Sequence, residues 1–109
     1  MAPFKSITPP SLRVQAGEPA IFSCQASGHK ILKVTWFKDK IELPSSWQNR
    51  TQIGNRTINS LKIERTNRSD SGEYDCRVYN NDRNDCYWPV RSKLLVGELK
   101  SKRYFSYRC

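Results

Sequence analysis

Apolar and polar positions alternate with a period of two along most of this chain. From Pro19 to Ala26, the residues Ala20, Phe22, Cys24 and Ala26 fall on one face, as in a half-buried strand. Leu32, Val34 and Trp36 repeat the pattern, sending Lys33, Thr35 and Phe37 outward, and Asp39-Lys40 supplies a turn into a short Ile41-Glu42-Leu43 strand. Further strands are predicted near 58–63 with Leu61 and Ile63 inward, near 73–80 with Tyr74, Cys76 and Val78 inward, and near 90–96 with Val90, Ser92, Leu94 and Val96 inward. The first extended stretch, 6–14, contains Pro9-Pro10; proline cannot donate to a ladder, so this strand suits an edge that switches sheets. The stretch from Pro44 to Gly54 is polar and the least regular part of the pattern.

Within this frame stand Cys24, Trp36 and Cys76, the cysteines 52 positions apart, and the run Asp70-Ser71-Gly72-Glu73-Tyr74-Asp75-Cys76. With Ala16-Gly17-Glu18, Trp36-Phe37-Lys38-Asp39 and Leu61-Lys62-Ile63, the pattern resembles the immunoglobulin superfamily, and more finely its I-set domains. The resemblance implies an all-β, immunoglobulin-like two-sheet β-sandwich of Greek-key topology. Its signature positions are Trp36, Leu61, Asp70, Gly72 and Tyr74. It implies a Cys24–Cys76 disulfide packed on a buried Trp36, and a Tyr74 hydroxyl bonded to backbone upstream. A bridge across that loop is worth about 4 kcal/mol in the chain-entropy model. The interval between the cysteines leaves little room for the extra C″ hairpin of a variable domain. The matched region is 6–97, preceded by a leader, 1–5, and followed by a basic, aromatic tail, 98–109.

At 109 residues the chain is the size of one domain. Four cysteines without a C-x-x-C pair, and the lone His29, do not match the close spacing of zinc ligands; no metal or cofactor is expected. No Ser/His or Cys/His arrangement points to catalysis, and the family's chemistry is recognition. Disulfide usage points to an oxidising compartment, hence to an extracellular, cell-surface or secreted setting. No run is long enough to span a bilayer, and the N-terminus lacks the apolar stretch of a signal peptide, so that setting implies an excised domain with Met1 supplied for expression. The net charge of +9, from 19 basic and 10 acidic residues, favours acidic partners such as a sulfated glycosaminoglycan or an acidic protein face. No nucleic-acid-binding motif accompanies it.

In the family's strand letters, the outward positions of C, F and G are Lys33 and Phe37, Arg77 and Tyr79, and Arg91 and Lys93. Together they are expected to form one basic, partly aromatic patch of the kind that anchors protein interfaces, or else a solubilising charged exterior. The F–G loop, 81–89, carries Asp82, Asp85, Cys86, Tyr87 and Trp88; Trp88 is read as a contact for a partner or as a lid on the core. Trp47 poses the same choice. Sequons at Asn49, Asn55 and Asn67 would place glycans away from the G-F-C sheet.

For Cys86 and Cys109 three arrangements are open: an internal second bridge pinning the tail along the last strand, partners in a segment outside this chain, or Cys109 linking two chains. A tail of about 12 extended residues reaches roughly 40 Å, enough to fold back. A dimer through an exposed strand edge is also open. The expected function is non-catalytic recognition of a protein partner through the G-F-C face and F–G loop, in a receptor, adhesion protein or secreted multidomain protein. Two alternatives stand beside it. One is glycosaminoglycan binding through the basic face and the tail residues Lys100, Lys102, Arg103 and Arg108; the other is a structural module of an intracellular muscle-filament protein.

Overall fold

The computed structural model describes residues 3–28, 30–80 and 86–97. Nine strands are present among them: β1 (Phe4–Thr8), β2 (Ser11–Gln15), β3 (Ala20–Ser27), β4 (Lys33–Lys38), β5 (Ile41–Glu42), β6 (Gln48–Ile53), β7 (Arg56–Ile63), β8 (Gly72–Tyr79) and β9 (Trp88–Gly97). They form a four-stranded sheet in the order β1-β3-β7-β6 and a five-stranded sheet in the order β2-β9-β8-β4-β5. The chain changes sheets at Pro9-Pro10, as a residue pair without N–H donors allows: β1 pairs antiparallel with β3, and β2 parallel with β9.

Between the sheets lies the alternating apolar set. Phe22, Cys24, Trp36, Leu61, Tyr74, Cys76 and Val78 are all at or below 1% exposure, and Leu94 and Val96 close the far side. Cys24 and Cys76 are bridged across the two layers. Phe22 packs on both Trp36 and Tyr74, with ring centroids 6.0 and 5.8 Å away, a spacing at which aromatic pairs attract. The Trp36 indole N–H donates to the carbonyl of Asn59 at 3.0 Å.

The Tyr74 hydroxyl donates to the carbonyl of Asp70 at 2.6 Å, tying β8 to the turn before it. Burial, and then the Asp70 and Asp39 carboxylates, hold this phenol protonated far above its ordinary value. The folded state therefore keeps a proton that the unfolded chain releases near pH 10. This contribution is complete below pH 10 and is lost as pH rises through the folded-state value. Stability is expected to fall by about 1.4 kcal/mol per pH unit above pH 10 on this account alone. Urea midpoints at pH 9 and 11 test it: the parent should lose more between them than Tyr74→Phe does.

Several expectations change. β1 begins at Phe4, so Phe4 and Lys5 belong to the sandwich and not to a leader. The polar stretch after Pro44 contains a short 3-10 turn, Ser45–Trp47, and a full strand, β6, hydrogen-bonded to β7 over six register pairs. Leu32 lies outside β4 and is 56% exposed, whereas Thr35, on the outward face, is buried. Of the signature positions, Asp70 and Gly72 stand at a corner: Asp70 is half-buried and closes a reciprocal cap with Asn67, and Gly72 is exposed. Trp47 is partly buried against the core. The two-residue turn at Asp39-Lys40 holds both residues in the left-handed region, φ 52° and 66°, matching the twist of a tight hairpin.

β5 pairs with only Phe37 and Lys38 of β4, and the Leu43 N–H donates to the Trp36 carbonyl at 3.0 Å, which leaves the edge open before that point. Side chains from the opposite sheet fill it. Gln48 Oε1 accepts from the Trp36 N–H at 3.2 Å, and the Val34 carbonyl accepts from Asn59 Nδ2 at 2.8 Å and Arg50 Nε at 3.1 Å. Asn59 Nδ2 also donates to Gln48 Oε1 at 2.9 Å, and Gln48 Nε2 to the Leu43 carbonyl at 2.9 Å. These bonds do for β4 what a further strand would do, since backbone groups lost from water must find partners.

Candidate recognition face

β8 presents Glu73, Asp75, Arg77 and Tyr79 on the outer face, because Tyr74, Cys76 and Val78 take the inner one. Register sets Phe37 and Arg91 on either side of Asp75, Thr35 and Pro89 on either side of Arg77, and Lys33 beside Tyr79. Long side chains then meet across the sheet. The Arg77 guanidinium lies 4.0 Å from the Phe37 ring centroid and 4.3 Å from that of Tyr87, while Lys33 Nζ sits 5.0 Å from the Tyr79 centroid. Tyr79 and Tyr87 are 5.8 Å apart, and these layers leave Tyr79 only 5% exposed.

Asp75 is the group that sequence reasoning missed. Its Oδ2 accepts from Arg77 Nε at 3.2 Å, and Oδ1 lies 4.0 Å from Arg91 Nε. Arg77 and Asp75 are largely covered, at 14% and 13% side-chain exposure, so their attraction is less screened than a surface pair's. Desolvation, the largest single influence, lowers the guanidinium's affinity for its proton, but Asp75 together with Tyr87 and Tyr79 outweighs it and the net shift is upward. A depression of about 320 Å³ opens here between Asp39, Lys40, Glu73, Asp75, Arg77 and Arg91.

The face is therefore mixed in charge, not uniformly basic. Of the expected contact residues, Lys33, Phe37 and Arg77 come together, and Arg91 joins them through Asp75; Tyr79, expected as a contact, is instead buried against Lys33 and Tyr87. Lys93 lies one outward position further along β9, opposite Glu73 and Ser11, beside a groove of about 500 Å³ that includes Leu12, Arg13 and Leu95. Trp88 stands apart. It pairs in register with the inward Val78, donates its indole N–H to Asn80 Oδ1 at 3.2 Å, and lies under Lys5 Nζ of β1, 5.8 Å from the ring centroid.

Asn49, Asn55 and Asn67 are all exposed and belong to the four-stranded sheet or its ends: Asn49 on β6, Asn55 in the β6–β7 turn, Asn67 capping the 3-10 turn Arg68–Asp70. Cys86 is exposed, while His29, 81–85 and the tail with Cys109 lie outside the described residues, as does any bridge to Cys109. Among the described residues no helix is long and apolar enough to cross a membrane.

Residues 3–85 match the family model of the immunoglobulin I-set domain. The cell adhesion molecule DSCAM of Gallus gallus is 39% identical over 69 residues, which cover 63% of this chain and 3% of that protein. The smooth muscle myosin light chain kinase of Gallus gallus is 32% identical over 79 residues, 72% of this chain and 4% of that protein. Among solved structures, one that addresses Dscam isoform specificity superposes with a TM-score of 0.64 at 33% identity, covering 85% of this chain and 20% of that one. The chain thus spans a few per cent of the length of the relatives it matches, one domain's worth. Its two sheets are closed by a bridge beside Trp36 and a tyrosine bonded to the turn before β8, and with this match it belongs to the immunoglobulin I-set family and is homologous to domains of cell-adhesion proteins.

Proposed function

We propose that this domain is a non-catalytic, extracellular recognition module that binds a protein partner through the outer face of β4, β8 and β9. The observation that carries the reading is Arg77 held between Phe37 and Tyr87 and braced by Asp75. Tyrosine and arginine are the residues that dominate binding energy at interfaces, and a guanidinium already fixed in place loses little further freedom on binding. The Cys24–Cys76 bridge, the exposed sequons and the likeness to an adhesion protein support an extracellular setting. The likeness to a smooth muscle kinase supports the muscle alternative, against which the bridge weighs.

A sulfated glycosaminoglycan is the second reading, favoured by the +9 charge and by the exposed Arg91. Glu73 and Asp75 among the basic side chains weigh against it on this face, because a polyanion would meet both carboxylates. The test is a multimerised domain screened against a panel of cell-surface ectodomains, with added heparin as competitor. Arg77→Ala and Phe37→Ala should each weaken binding at least tenfold, with Ile58→Ser on the other sheet unchanged. Binding that survives both substitutions sinks the assignment of this face, and retention abolished by heparin alone transfers it to the glycan.

A further inference from the structure

We infer that Asn49 carries an N-linked glycan whose first sugar is seated on the protein, in the groove bounded by Ile21 and Trp47. The inference rests on the extracellular reading but not on the partner face. In β6, Asn49 and Thr51 both point outward, because Arg50 between them turns inward to the Val34 carbonyl. The acceptor and its hydroxyl residue therefore stand side by side on an exposed edge strand.

Register then builds a trough beside them. Thr8 pairs with Ser23, Ser23 with Ser60, and Ser60 with Asn49, so a row of short polar side chains crosses the sheet to the sequon. The next row is tall: Ile21 pairs with Lys62, and Trp47 immediately precedes β6. Between these rows is a groove of about 260 Å³ lined by Ile21, Trp47, Asn49, Ser60 and Lys62, room for one sugar ring. Ile21 is 52% exposed there, next to the polar row of Thr8, Ser23, Ser60 and Asn49. A hexosamine has an apolar C–H face and a hydroxyl rim. The first fits over Ile21 and the indole edge; the second meets Ser60, the Lys62 ammonium and the Glu64 carboxylate paired with it.

The other two sequons lack this setting. Asn67 Oδ1 is already committed, accepting from the Ser69 N–H at 3.0 Å and from the Ser69 hydroxyl, and Asn55 stands at the β6–β7 turn beside Gly54. A seated glycan would also cover β6, the exposed edge of the four-stranded sheet, against pairing with other chains.

The test is secretion of the 109-residue chain from glycosylating cells, peptide mass mapping and thermal unfolding. Asn49 should be occupied. Trimming to the first N-acetylglucosamine should leave Tm unchanged, and Thr51→Ala, which removes the sequon but keeps Asn49, should lower Tm by about 3 °C beyond its effect in sugar-free bacterial protein. In an Ile21→Ser background that extra drop should vanish. An unmodified Asn49 beside glycosylated Asn55 or Asn67 overturns the inference alone, as does an occupied Asn49 whose loss leaves Tm where it was. No glycan at any sequon, with free thiols at Cys24 and Cys76, overturns it together with the extracellular reading.

Discussion

Replacing Cys24 and Cys76 together by alanine is expected to destabilise the domain by about 4 kcal/mol, the chain-entropy value for so long a loop. The bridge joins strands 52 positions apart. Domains of this size have about 5–15 kcal/mol in total, so the variant should lose most of its margin and its Tm should fall by about 15–30 °C. Urea unfolding of parent and variant measures this directly. Both cysteines are at 0% exposure, and a thiolate must reach a sulfur to open the bond. Reductant alone should therefore leave the native protein oxidised, and reductant with denaturant should not. A loss below about 1 kcal/mol would mean that the reduced chain keeps β3 and β8 together by other means.

The second large effect is expected at Asn59. Its amide donates to the Val34 carbonyl and to Gln48 Oε1 from a fully buried position, so Asn59→Leu takes one donor from each and leaves the Val34 carbonyl with Arg50 Nε and Gln48 Oε1 with the Trp36 N–H. The cost should be about 1–3 kcal/mol, the range for buried hydrogen bonds lost to one side chain. Gln48→Leu removes one of those acceptors along with its own bonds to Trp36 and Leu43. If the residues act as a unit, the double variant will cost less than the sum of the singles, with coupling of about 1 kcal/mol or more. Strict additivity in denaturant unfolding would show that β4's open edge is held by packing rather than by this network.

Neither Asn59 nor β6 was legible in the sequence, for different reasons. Period-two alternation found β3, β8 and β9 because each has one face against the core and one in water. β6 has no such contrast: five of its six residues are exposed, and only its hydrogen bonds to β7 make it a strand. Asn59 sits at an inward position, but burial of an amide is decided by partners from β4 and β6 whose approach no local pattern encodes.

The same limit applies to the recognition face. Alternation placed Lys33, Phe37, Arg77 and Tyr79 on one side correctly. That Asp75 would sit between Arg77 and Arg91 depends on pairing register, as does the covering of Tyr79 and Thr35. Trp88 shows the converse: its parity is inward, but at the strand's end it meets Asn80 and Lys5 rather than the core centre.

The change of sheet at Pro9-Pro10 has a mechanical corollary. β1 and β2 descend the sandwich in the direction that β9 also takes, so the first residues of β1 and the last of β9 emerge at opposite ends. Tension along the molecule would pull β2 and β9 past each other along their lengths, straining the rungs between them in concert instead of peeling them in turn. Resistance to stretching would then reside in two short seams, β1 on β3 and β2 on β9, while the disulfide prevents everything between Cys24 and Cys76 from paying out.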